Sequence, residues 1–98
     1  MTTKLFLKDL SDTFGICLEL ATRKNKDYAD EDPFKNFRMS ALIGIEPAKA
    51  IIVRILDKLS RVSNLLDKEN SVKDERIEDT LMDIINYTAI LKAYLNEK

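Results

Sequence analysis

Gly15, Pro33, Gly44 and Pro47 are the chain's whole complement of glycine and proline, and they leave its 98 residues in long stretches with nothing to interrupt a helix. Within those stretches apolar residues recur at three- and four-residue steps, the period of one helix face. Thr2 or Thr3 can cap a first helix with Leu7, Leu10, Phe14, Cys17 and Ala21 on one face, running to about Lys24. Gly15 weakens it by about 1 kcal/mol relative to Ala. The polar stretch NKDYADED reads as a loop, after which Asp32–Pro33 supplies an N-cap and a first-turn proline for a short helix ending at Gly44. Glu46–Pro47 opens a third helix in the same manner. It is expected to reach about Glu69 with Ile51, Ile52, Ile55, Leu59, Val62 and Leu66 facing the core. ENSVKD breaks the pattern, and a last helix starting at Ser71 carries Ile77, Leu81, Ile84, Thr88, Leu91 and Leu95 at helical spacing. No strand alternation, internal repeat, low-complexity segment or linker interrupts this order. The expected fold is all-α, one four-helix domain over residues 1–98.

A chain this short forms a core only marginally able to offset its conformational entropy, so self-association is expected to complete the bundle. Hydrophobic residues make up 45% and charged ones 34%, a balance that argues against a disordered tail. The sixteen basic and seventeen acidic residues are mixed along the chain, leaving no one-sign block to track a DNA or RNA backbone. No apolar run approaches the roughly 18 residues that span a bilayer, and the start lacks a signal-peptide pattern, so a cytoplasmic location without membrane contact is expected. Cys17 has no second cysteine to bridge, and the absence of histidine removes Cys/His zinc sites and His-based catalytic pairs. Chemistry in this chain must rest on carboxylates, Lys, Arg, Tyr and Asn.

Such residues are concentrated on the last two helices. At about 100° per residue, Glu75, Asp79, Asp83 and Asn86 share one sector of the last helix, opposite Leu81, Ile84 and Leu91. Met82, Ile85, Tyr87, Ala89 and Ile90 border it, which suggests carboxylates lining a cleft or an interface. Arg54, Asp57, Lys58 and Arg61 form a matching stripe on the third helix. Two readings are open. Local Arg54–Asp57 and Asp57–Arg61 pairs on a solvated face would explain the stripe at about 0.2–0.5 kcal/mol each. Alternatively, the carboxylates hold Mg²⁺ while the cations grip phosphate.

Three stretches in order, KNKDYADEDPFKNF, RILDKLSRVSNLL and KDERIEDTLMDIINY, resemble the phage and prophage family called nucleotide modification associated domain 1. The resemblance covers about residues 20–95. That family is distantly similar to the all-α nucleoside triphosphate pyrophosphohydrolases of the MazG type, which are helical, self-associating and Mg²⁺-dependent. They carry an E-x-x-E pair on one helix and an E-x-x-D pair on the next. By this resemblance Glu75, Glu78, Asp79 and Asp83 stand where the second pair falls, although Asp79 follows Glu75 by four residues. Where the first pair is expected, Arg54, Asp57, Lys58 and Arg61 leave one carboxylate among three cations.

The resemblance thus implies Asp79, Asp83 and Glu75 as catalytic residues and Asp57, Glu75, Asp79 and Asp83 as Mg²⁺ ligands. Arg54, Lys58 and Arg61 then hold phosphates, with Asn86 beside them. The loop adds Lys26, Tyr28 and Asn36 as nucleotide contacts, together with Arg38, and Tyr28, Phe34 and Phe37 as a stacking surface. Phe34 and Phe37 are better explained as anchors of the short helix to the core, and Cys17 and Met39 as packing residues. Three functions follow: Mg²⁺-dependent nucleotide hydrolysis to monophosphate and pyrophosphate, sequestration of a nucleotide such as an immune signal without turnover, or helical assembly in which the charged stripes are an interface. A nucleotide-derived small molecule and a second copy of the chain are the expected partners.

Overall fold

The structure, a computed structural model, describes residues 1–28, 32–68 and 75–97, without the side chains of residues 27, 28 and 75. It contains α1 (Thr3–Tyr28), α2 (Lys35–Arg38), a 3-10 turn (Met39–Ile43), α3 (Pro47–Leu66) and α4 (Glu75–Glu97), and among the described residues no strand. The fold is all-α, as expected. Two compact units divide the chain, Met1–Asp30 and Glu31–Lys98.

The first unit is α1. Thr2 caps it, its hydroxyl accepting the Leu5 N–H at 3.2 Å and its carbonyl the Phe6 N–H at 3.0 Å. Lys8 pairs with Asp12 at 3.0 Å one turn on. The helix does not stop near Lys24 but continues through NKDY to Tyr28. Nothing in that stretch is Gly or Pro, the Asn25 amide donates to the Ala21 carbonyl at 3.0 Å, and Lys26 in the last turn complements the helix dipole. Polarity alone is therefore a weak stop signal. Cys17 is buried, while Leu7 and Phe14 of the expected face are exposed.

In the second unit Asp32 accepts the Phe34 N–H at 3.0 Å in a turn that precedes α2, so Phe34 and not the expected Asp32 is the N-cap, and Pro33 lies before the first helical turn. The expected short helix is split, passing into the 3-10 turn after Arg38. Ser40 lies where the ladder tightens, its hydroxyl 2.8 Å from both the Phe37 and Ile45 carbonyls. Gly44 ends the segment at φ 79°, a left-handed conformation that a residue with a Cβ adopts at a cost. Glu46 then caps α3 with its carboxylate on the Ala48 N–H at 2.7 Å, and Pro47 occupies the first helical position. α3 ends at Leu66, short of Glu69, and the expected start of the last helix at Ser71 lies outside the described residues.

α3 packs against α4, and Phe34, Ile51 and Tyr94 form the buried centre with Phe37, Ala48, Ile55, Ile90 and Leu91 around it. Phe34 meets Tyr94 edge-on at 5.6 Å. The Tyr94 hydroxyl donates to Glu46 at 3.1 Å, so the α3 cap is also the polar partner of a core tyrosine. The expected core faces are too wide. Ile52, Leu59, Leu66, Leu81 and Leu95 are all more than two-fifths exposed, whereas Leu65, Thr80 and Tyr94 are buried. Within this unit α3 and α4 pack on each other, and the exposed positions lie off the arc that faces the partner helix. Thr80 is accommodated because its hydroxyl donates to the Arg76 carbonyl at 2.6 Å.

Candidate functional site

Between α3 and α4 lies an open cleft of about 500 Å³ lined by Arg54, Asp57, Lys58, Ser60, Arg61, Asn64 and Tyr87. The first six come from α3 because positions three and four apart share a helix face, and Arg54 and Arg61 are about 10 Å apart along the axis. Tyr87 enters from α4. Its ring is held edge-on by Phe37 of α2 at 6.2 Å and 85°, so a residue of the core anchors the aromatic wall.

The expected Arg54–Asp57 and Asp57–Arg61 pairs do not form. Among the described residues, Arg54, Asp57 and Arg61 take part in no ion pair. Instead Lys58 Nζ crosses to Asp83 Oδ2 at 3.3 Å, with the two side chains 32% and 24% exposed. The acidic stripe and the cationic stripe therefore meet directly at one point. A pair within one helix is not needed when a neighbouring helix offers a partner in a less hydrated place.

Asp79 is exposed one turn before Asp83, Asn86 is half-buried three residues after it, and Glu78 is exposed. The Glu75 side chain lies outside the described residues. Asn36 is exposed on α2 and is not part of the cleft wall, while Lys26 is exposed at the end of α1, beside Tyr28, whose side chain is also outside the description. Phe34 and Phe37 are anchors of the short helix against the core. Arg38 is likewise structural: its guanidinium donates to Asp32 at 2.8 Å and to Glu97 at 2.7 Å and lies 5.6 Å from the ring centres of both Phe34 and Tyr94. The hydrogen bond to Asp32, then that to Glu97, raises its pKa above the ordinary arginine value.

Tyr87, Ser60 and Asn64 were not expected in the wall. The signal for Tyr87 was its place four residues after Asp83, and for Ser60 and Asn64 their places three residues after Asp57 and Arg61.

The donor set bears on Mg²⁺. Among the described residues no three carboxylate or cysteine groups come together around a common point. Asp83 of α4 is engaged by Lys58 of the cleft wall. The described residues thus do not fit a carboxylate cage, and no step through a metal is derived from them. What the arrangement can do chemically is neutralise phosphate with Arg54, Lys58 and Arg61, hydrogen-bond with Ser60 and Asn64, and present an aromatic edge or face.

A family model described as nucleotide modification associated domain 1 matches residues 24–93, which takes in α2, α3, every residue of the cleft and most of α4. Comparison with curated proteins and with solved structures finds no match. Separately, no described helix is long and apolar enough to cross a membrane.

Proposed function

We propose, since the chain belongs to the nucleotide modification associated domain 1 family, that its α3–α4 cleft binds a phosphorylated nucleotide. Arg54, Lys58 and Arg61 receive the phosphates, Tyr87 stacks on the base, and Ser60 and Asn64 complete the polar contacts. The observation that carries this reading is the cleft wall itself: three cations on one face of α3, with a single carboxylate among them, opposite a ring held in place by Phe37. A volume of about 500 Å³ suits a ligand of nucleotide size.

In this reading the protein holds its nucleotide without turning it over, as a sequestering protein of phage or prophage kind does. The likeness to MazG-type pyrophosphohydrolases and the role of Asp79, Asp83 and Glu75 in metal-assisted hydrolysis belong to the same proposal as its alternative branch. Sequestration is favoured because the acidic pair expected on the earlier helix is replaced by cations and Asp83 pairs with Lys58.

Thermal unfolding against a panel of nucleotides, with and without Mg²⁺, tests this. A ligand at about 100 times its Kd stabilises a fold by about 2.7 kcal/mol, several degrees for a domain of this size. Stabilisation without Mg²⁺ that disappears in Lys58→Ala and Arg61→Ala, with no pyrophosphate released, is the expected result. Release of pyrophosphate in Mg²⁺ would transfer the protein to the hydrolytic branch. No stabilisation by any nucleotide, from protein shown to be folded, would remove the cleft reading.

A further inference from the structure

We infer that Asp83 acts as a built-in competitor for the anion, setting the affinity of the cleft by holding its central cation. This rests on the cleft being the phosphate site proposed above. Three observations place the control on this residue. Lys58 lies between Arg54 and Arg61 on the same face of α3, four residues after one and three before the other, so a phosphate drawn in by the flanking arginines arrives at its ammonium. That ammonium already contacts the Asp83 carboxylate at 3.3 Å from the opposite helix. Both side chains are partly withdrawn from water, at 32% and 24% exposure, where exchanging one carboxylate for an incoming phosphate oxygen alters the energy more than it would on an open surface.

The cation is therefore shared. A ligand anion gains Lys58 only to the extent that it outcompetes Asp83, and the carboxylate lowers the cleft's affinity for every anion. The flanking arginines make no ion pair among the described residues, so the competition acts on the middle contact and not on the ends.

The experiment uses inorganic triphosphate as the probe, because it has no base to stack, and measures its affinity by calorimetry for the native chain, Asp83→Asn, Lys58→Met and the double variant. Asp83→Asn should bind about two- to fivefold more tightly than the native chain, and the gain should vanish in the Lys58→Met background. Equal affinities of the native chain and Asp83→Asn overturn the inference while leaving the cleft as the anion site. A gain that persists without Lys58 overturns it too, since general electrostatics would then account for the effect. Absence of binding in all four proteins overturns the cleft reading and this inference together. The native protein supplies a readout that needs no variant: the Asp83 carboxyl carbon resonance should move as triphosphate saturates the cleft, and a stationary resonance at saturation overturns the competition.

Discussion

Lys58 Nζ and Asp83 Oδ2 stand 3.3 Å apart across the interface of α3 and α4, each helix contributing one charge from its stripe. The contact ties the cleft to the packing of the two long helices. It also sets a first expectation for stability. Lys58→Ala and Asp83→Ala should each lower stability by about 0.5–1 kcal/mol, the upper part of the range for partly exposed pairs. The double variant should cost less than the sum of the two single ones, because both remove the same contact. Chemical denaturation of the four proteins checks this, and strictly additive losses would show that the two side chains act independently.

If the cleft binds a nucleotide as proposed, Tyr87 should separate recognition of a base from recognition of phosphate. Tyr87→Leu keeps an apolar side chain against Phe37 but removes the stacking face. Base stacking on an aromatic side chain is worth about 1–3 kcal/mol, so nucleotide affinity should fall roughly five- to 150-fold. Affinity for inorganic triphosphate should stay unchanged. Parallel losses for both ligands would mean that the substitution had disturbed the cleft and that Tyr87 has no selective role.

Tyr94 and Arg38 hold the segment before α3 to the end of α4. Tyr94→Phe removes the hydroxyl that donates to Glu46 and should cost about 1 kcal/mol, while the Glu46 cap on Ala48 persists. Arg38→Met keeps part of the packing on Phe34 and Tyr94 but loses both carboxylate contacts, so the melting temperature should drop, and by more at low ionic strength than in high salt. An identical drop at both salt concentrations would assign the role of Arg38 to packing alone.

Helix periodicity and end signals made much of this architecture legible before any coordinates. Thr2, Gly44 and Glu46–Pro47 act as the sequence suggested, because a cap is a local matter of backbone N–H groups and the side chain beside them, whereas Asp32–Pro33 forms a turn ahead of Phe34, which takes the N-cap position of α2. The width of the buried face was not legible. Ile52 and Leu59 satisfy the same spacing as Ile51 and Ile55, and only the direction of the neighbouring helix decides which of them is covered. The charged stripes were visible for the same periodic reason, but the partner of Lys58 was not, since Asp57 and Asp83 are alternatives that differ only in tertiary placement. The structural partners of Arg38 were not legible, because nothing local reveals that Glu97, 59 residues away, closes its second hydrogen bond.

The apolar residues left uncovered carry the proposed self-association. On α3, Ile52, Leu59 and Leu66 recur at seven-residue steps with Leu56 beside them, an arc of about 80° at helical spacing, the seam by which one helix packs along another. All four are at least 43% exposed, and Leu42 and Ile43 on the 3-10 turn reach 81% and 77%. Fully burying a leucine or isoleucine side chain gains about 1.5–3 kcal/mol, so partial burial of several offsets the entropy of association at micromolar concentration. Light scattering should therefore give a mass that is a multiple of 11.3 kDa. Leu56→Asp, which places a charge in the middle of the seam, should return the protein to a monomer with its helix content retained. Leu42→Asp is the comparison. If it disrupts the assembly and Leu56→Asp does not, the interface lies at the 3-10 turn, and a particle of 11.3 kDa up to millimolar concentration would remove self-association altogether.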